Sequence, residues 1–216
     1  FKPYGKGKGT GVVIMTYDYE KDCPCIDLKP ITKEEFLNHL KKHDDWFLSE
    51  AMKQHEYLDN IYDKTVNTIR FITLKDPKTG LFKVFFAVQR IGTKETIPVD
   101  NGSRGGLVAN IDIDTGVLSE ARCLWNRNVY KVHPDSGAPI EGVKVPGWEK
   151  LKKDMIDLAN HLPYMNFIAW DILITPEGHC IIEANTSSGV NIIQLWGGQR
   201  NKELGDFYRH HKVIKK

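Results

Sequence analysis

Residues 167–185 read Phe167-Ile168-Ala169-Trp170-Asp171-Ile172-Leu173-Ile174-Thr175-Pro176-Glu177-Gly178-His179-Cys180-Ile181-Ile182-Glu183-Ala184-Asn185. Two runs of β-formers flank a Pro-Glu-Gly turn, which is the pattern of a hairpin. Three polar groups interrupt the apolar runs. Asp171 lies inside the first, and Glu183 and Asn185 end the second. Residues two apart on a strand share a face, so Glu183 and Asn185 point the same way and Asp171 can face them across the turn. Two carboxylates and an amide oxygen make a hard-oxygen site suited to Mg²⁺, which also takes phosphate oxygens and water. Burial of both carboxylates in apolar strands would be costly without a cation. The competing expectation is that each carboxylate sits at a strand end, pairs with an arginine and binds nothing.

Upstream, the same hairpin grammar repeats. Asn67–Leu74 and Leu81–Arg90 are joined by Asp76-Pro77-Lys78-Thr79-Gly80. Leu107–Ile113 and Val117–Cys123 are joined by Asp114-Thr115-Gly116. After Pro146, Trp148, Leu151, Met155, Leu158 and Leu162 fall near one helical face. Thr32 and Glu35 form a capping box ahead of a helix to about Lys42. Val12–Tyr17 and Trp46–Leu48 read as strands, and 126–142 as a loop. The fold class is α+β, with antiparallel hairpins and packed helices.

Arginines supply the second chemical signal. Asn67-Thr68-Ile69-Arg70 opens one strand, Gln89-Arg90 closes the next, and Arg104 lies in Asp100-Asn101-Gly102-Ser103-Arg104-Gly105-Gly106. Guanidinium forks match phosphate and acyl-phosphate oxygens. For a loop residue such as Arg104, ordinary solvation is an equal expectation. At the N-terminus, Lys2, Lys6 and Lys8 accompany Gly5-Lys6-Gly7-Lys8-Gly9-Thr10-Gly11. A glycine loop of this kind lets backbone N–H groups approach phosphates, but the spacing is not that of a Walker A loop. A solvated linker is the plain alternative.

The 216 residues carry 41% hydrophobic side chains, enough for a core in one large domain or two lobes. Net charge is +2, which gives no support for a nucleic-acid or membrane partner. No apolar run approaches the roughly 18 residues of a membrane span. The four cysteines match no common zinc spacing and are too few for a disulfide scaffold, so free thiols in a reducing, cytoplasmic compartment are expected. Cys23-Pro24-Cys25 reads as a turn, and Cys180 as a small core residue.

These pieces, in this order, resemble the ATP-grasp superfamily, and more closely its sugar-transfer-associated, α-L-glutamate-ligase-related family. The residues that carry the resemblance are Val66-Asn67-Thr68-Ile69-Arg70, Val99-Asp100-Asn101, Gly105-Gly106, Ile111-Asp112, Thr115-Gly116, His133-Pro134-Asp135-Ser136-Gly137, Trp170-Asp171 and Glu183-Ala184-Asn185. The resemblance implies the ATP-grasp fold in two lobes, a small one over 1–50 and a large catalytic one over 51–216. It implies ATP and Mg²⁺ as cofactors. Lys2 and Lys8 would meet the phosphates, and Phe47, Leu48 and Glu50 would form the interlobe hinge. Arg70 and Arg90 would meet the γ-phosphate or activated substrate, and Asp171, Glu183 and Asn185 would hold the metal. Asn101 and Arg104 are further candidates for phosphate or substrate contacts. His55 and His133 are expected at surface or capping positions rather than as bases. The chain opens at Phe1, at the second of the family's phosphate-binding lysines, so a fragment without the N-terminal region is expected.

By the same resemblance, the expected reaction is carboxylate–amine ligation through an acyl phosphate. Its partners would be a small-molecule carboxylate and an amine or sugar-linked acceptor, with a link to polysaccharide synthesis. A kinase acting on a sugar or alcohol, and a non-catalytic nucleotide-binding module, are the alternatives.

Overall fold

The computed structural model describes residues 1–3, 11–27 and 29–215, and the chain divides into two compact units, Phe1–Lys53 and Gln54–Lys216. In the first, β1 (Lys2–Pro3) pairs with β5 (Trp46–Phe47). A three-stranded sheet joins β2 (Met15–Asp18), β3 (Cys23–Ile26) and β4 (Lys29–Pro30), and α1 spans Lys33–Lys42. The Thr32–Glu35 capping box is present in both directions: Thr32 Oγ1 accepts from Glu35 N, and Glu35 accepts from Thr32 N. Most of the glycine loop, with Lys6 and Lys8, lies outside the described residues.

The Cys-Pro-Cys turn is a correction. Cys23–Ile26 is a strand paired antiparallel to β2, with Pro24 opposite Tyr17. The reversal lies one step earlier, at 19–22. There Asp18 Oδ1 accepts from Glu20 N and Lys21 N, and Asp22 takes φ +49°. Local carboxylate-to-backbone bonds outweigh the turn preference of proline. The cysteines of the described chain are free thiols, as expected. Cys180 is half-buried on an edge strand rather than in the core.

The second unit is built on a seven-stranded antiparallel sheet. Its elements are α2 (Glu56–Asp59), β6 (Ile69–Lys75), β7 (Phe82–Ile91), β8 (Leu107–Ile111), β9 (Leu118–Cys123), β10 (Val129–Tyr130), α3 (Trp148–Asn160), β11 (Phe167–Thr175), β12 (Gly178–Asn185) and α4 (Glu203–His210). The strand order is β10-β9-β8-β7-β6-β11-β12, so β6 sits centrally between its hairpin partner and a strand about a hundred residues away. The hairpins form where the turn chemistry places them. Asp76 Oδ1 accepts from Lys78 N, and Asp112 Oδ1 accepts from Thr115 N and Oγ1. Gly116 is doubly required. Its φ is +74°, and a Cβ there would lie 2.6 Å from Trp148 Cγ.

The two sheet faces bury different cores. Ile69, Phe71, Ile168, Trp170 and Ile172 pack beneath α3 through Trp148, Leu151, Met155 and Ala159. Ala159 completes this stripe, whereas Leu158, expected there, is 38% exposed and Leu162 lies past the helix end. The opposite face alternates with the first. At one end its Ile72, Leu74 and Ala169 are covered by Ile193 and by Leu204 and Phe207 of α4. Further along the same face stand Arg70, Arg90, Asp171, Glu183 and Asn185. No helix among the described residues is long and apolar enough to cross a membrane.

Candidate active site

Strand register brings the site together. Asp171 on β11 lies opposite Arg70 on β6 at one side and Glu183 on β12 at the other. Arg70 pairs with Val88 on β7, and Arg90 stands two residues along that strand, on the same face. The Asp171 carboxylate is enclosed by both guanidiniums. Arg70 Nε donates to Oδ1 at 2.5 Å, Arg70 Nη2 to Oδ2 at 3.2 Å, and Arg90 Nη1 to Oδ2 at 3.1 Å. Arg70 Nη1 donates to Ser188 Oγ at 2.5 Å, in the segment after β12.

Arg90 has a second anchor. Its Nη2 donates to Asp100 Oδ1, and Asp100 Oδ2 accepts from Thr68 N at 2.7 Å and Thr68 Oγ1 at 2.6 Å. Burial alone would weaken the charge on Arg90, but the Asp100 and Asp171 carboxylates outweigh it and raise the guanidinium above its ordinary value. The result is a chain of alternating charge, Asp100–Arg90–Asp171–Arg70, in which two arginines and two aspartates balance. Its arginine side chains are only 17–18% exposed, so both forks are held rather than free to wander.

Thr68 and Asn67 explain why the Asn-Thr-Ile-Arg run is built as it is. Asn67 is buried and ties three segments together. Its Nδ2 donates to Tyr62 O at 2.8 Å, and its Oδ1 accepts from Gly92 N at 2.8 Å and Thr65 Oγ1 at 2.7 Å. Gly92 cannot carry a side chain, since a Cβ would meet Thr65 Oγ1 at 2.3 Å. Asn67 thus holds the entry of β6 against the exit of β7, the two strands that present Arg70 and Arg90. Asn67→Ala would leave the buried Gly92 N–H unpaired and the Tyr62 carbonyl with only the long 3.4 Å bond from Gln54 Nε2. The expected loss is about 3 kcal/mol by urea denaturation. A loss below about 0.5 kcal/mol would contradict this account of the knot.

The remaining expected site residues are placed as follows. Glu183 is exposed, and among the described residues it has no ion pair or hydrogen bond to its carboxylate; Asn185 donates only weakly, Nδ2 to Ala169 O at 3.4 Å. The expectation of two buried carboxylates is therefore corrected. Of the two, Asp171 is buried, and both its oxygens accept from arginines. Asn101 caps a 3-10 turn over Gly102–Arg104, its Oδ1 accepting from Ser103 N and Oγ, while Arg104 is exposed. In the first unit, Lys2 pairs with Phe47 across β1 and β5, its Nζ 4.9 Å from the Phe47 ring centre. Leu48 and Glu50 follow β5 in exposed, irregular chain.

Both histidines, His55 and His133, bond to backbone groups. His55 Nδ1 caps α2, and buried His133 donates from Nε2 to Gly92 O while its Nδ1 accepts from Asp135 N and Ser136 N. Asp100, Thr68 and Ser188 belong to the site and were not expected there. Asp100 and Thr68 stand within the Asp-Asn-Gly and Asn-Thr-Ile-Arg motifs, but their pairing spans 32 residues of chain.

The donor set suits a hard cation. Glu183 offers a free carboxylate and Asn185 its Oδ1, with Asp171 directly across the ladder. Among the described residues no three His, Cys, Asp or Glu cluster as a closed metal cage. One or two carboxylates completed by water and phosphate oxygens is the usual composition of a Mg²⁺ site at a nucleotide.

A model of the sugar-transfer associated ATP-grasp family matches residues 1–204. The chain belongs to that family. The ATP-grasp fold and α+β class follow from membership, and the antiparallel sheets agree with both. Membership also points to an ATP-dependent, ligase-like chemistry associated with sugar transfer and to small-molecule substrates. No curated protein and no solved structure gives a significant match.

Proposed function

We propose that this ATP-grasp chain is a Mg-ATP-dependent carboxylate–amine ligase that works through an acyl phosphate, with its acceptor linked to a sugar or to glycan synthesis. The observation that supports this most is the Arg70–Asp171–Arg90 clamp beside Glu183 and Asn185. Arg70 and Arg90 are fixed cations at one end of a sheet face. Such groups lower the energy of an acyl phosphate both as it forms and as its carbonyl oxygen gains charge under attack. Neither is a base, both ring nitrogens of His133 are bonded to backbone groups, and His55 Nδ1 caps α2. A phosphoryl transfer to a hydroxyl calls for a base near that hydroxyl, so ligation is favoured over a kinase reaction.

Glu183, Asn185 and Asp171 are the residues that would hold Mg²⁺, which when bound neutralises the triphosphate. Lys2 and Lys8 are proposed for the phosphates, Phe47, Leu48 and Glu50 for the nucleotide, and Asn101 and Arg104 for phosphate or substrate contacts. Asp100, Thr68 and Ser188 are positioning residues that hold the two guanidinium forks. The small lobe is assigned to 1–50 and the catalytic lobe to 51–216, with a cytoplasmic site of action.

The test is a substrate screen with hydroxylamine present. Turnover is expected to release phosphate and ADP in equal amounts and to convert the carboxylate to a hydroxamate. ADP formation without free phosphate, with the phosphoryl group kept on a sugar or alcohol, would overturn the ligase reading.

A further inference from the structure

Trp125 stands apart from the other tryptophans of the second unit, which are buried or half-buried. It is 68% exposed, yet it is not loose: its Nε1–H donates to Ser103 O at 2.9 Å. Ser103 in turn belongs to the 3-10 turn capped by Asn101, which follows directly on Asp100, the anchor of Arg90. An indole is among the costliest side chains to leave in water, and it is usually well buried. Here the sequence instead fixes its polar edge to the backbone and leaves most of the ring open.

The residues that follow Trp125 and Ser103 in sequence are polar or positively charged. Asn126 Oδ1 accepts from Asn128 N, and Asn128 Nδ2 donates to Tyr130 Oη, which leaves the Asn126 amide N–H groups and the Asn128 Oδ1 free among the described residues. Arg127 lies between them and Arg104 follows Ser103; both are exposed, with no ion pair among the described residues. A pinned aromatic face, one free amide donor group, one free acceptor and two unpaired guanidiniums are thus gathered on two adjoining loops.

We infer that Trp125 and its flanking Arg104, Asn126, Arg127 and Asn128 form a binding subsite for a hydroxyl-bearing sugar ring that carries a negative charge. The C–H groups on one face of a pyranose, made slightly positive by their oxygens, meet the negative face of an indole. Asn126 and Asn128 can donate to and accept from ring hydroxyls, and the guanidiniums take a carboxylate or phosphate. A cationic ligand is disfavoured by the same two arginines. The role of this ligand as the acceptor of the reaction rests on the ligase reading above; the binding itself does not.

Saturation-transfer-difference NMR on the intact chain tests the inference, with glucuronic acid, glucose 1-phosphate, neutral methyl glucoside and adenosine as separate probes and no nucleotide added. Transfer to ring protons of at least one anionic sugar is expected, with methyl glucoside weaker. Binding of glucuronic acid alone would identify a sugar carboxylate as the charge, and binding of glucose 1-phosphate alone a sugar phosphate. Trp125→Ala should weaken the bound sugar about tenfold or more, while Trp125→Phe, which keeps a ring, should retain most of it. The exposed position should leave the melting temperature of both variants close to that of the wild type. The inference is overturned if neither anionic sugar receives transfer, if Trp125→Ala binds as the wild type does, or if adenosine alone depends on Trp125. Nucleotide binding measured separately on the wild type distinguishes these outcomes from failure of the ligase reading.

Discussion

Glu183→Gln is expected to reduce turnover by about a thousandfold or more and to leave the fold as it was. The carboxylate is exposed, and among the described residues it has no ion pair to lose. It lies directly opposite Asp171 in the β11–β12 ladder, where like charges on facing residues oppose each other. Its replacement by a neutral amide therefore costs no folded-state contact, and the metal-free variant should be as stable as the wild type or slightly more so. Function is different. If Glu183 is a charged oxygen ligand to Mg²⁺, its loss removes several kcal/mol of stabilisation from the transferring phosphoryl group, and each 1.36 kcal/mol is tenfold in rate. Steady-state ADP release, paired with a thermal melt, checks both halves. Asn185→Ala should lose activity in the same way, giving up only the weak 3.4 Å bond to Ala169 O. Wild-type turnover of Glu183→Gln at low magnesium would remove Glu183 from the metal site.

Asp171→Asn is expected to do the reverse in stability and the same in activity. Asp171 is buried and both its oxygens accept from guanidiniums that are themselves largely buried. An amide at this position keeps one acceptor oxygen but turns an NH₂ toward guanidiniums that have only donors to offer. Removal of one partner from a buried charge group typically costs about 3–5 kcal/mol, because the remaining charge stays unpaired. Here Arg70 would lose its only carboxylate contact given by the structure, while Arg90 would keep Asp100. Urea denaturation should show the loss, and Arg70→Met in the Asp171→Asn background should recover part of it. A loss below about 1 kcal/mol would mean that the bridge is solvated and does not order the site.

The contrast between these two carboxylates marks the limit of what the sequence discloses. The hairpins were legible because their turns are local chemistry: Asp76 and Gly80, Asp112 and Gly116, and Pro176 to Gly178 set reversals within a few residues. From those turns the Asp171–Glu183 apposition followed directly. Strand order did not, because nothing near β6 states that its second neighbour is β11. For the same reason the Arg70–Asp171 and Arg90–Asp171 pairs, separated by 101 and 81 residues, could be listed as separate signals but not joined. The burial difference was also hidden. Glu183 sits in as apolar a run as Asp171, but β12 is an edge strand and β11 an interior one.

Elements without local signals were missed altogether. α4 starts after Lys202, which provides no side-chain cap, and carries Gly205 in its first turn. That glycine is there for packing, since a Cβ would lie 1.8 Å from Arg200 O. A residue that argues against a helix by propensity is required by the close approach of the chain just before it. Cys23-Pro24-Cys25 failed in the opposite way, as turn-forming residues placed in a strand by the stronger Asp18 and Asp22 reversal beside them.

Nucleotide binding is the claim on which the functional account stands. Isothermal titration calorimetry of the folded chain with ATP, with and without Mg²⁺, tests it most directly. The account predicts one site per chain, with affinity that depends on Mg²⁺ and falls in Glu183→Gln and Asn185→Ala. Absence of binding both to this chain and to a form extended at its N-terminus, each shown to be folded, would contradict it.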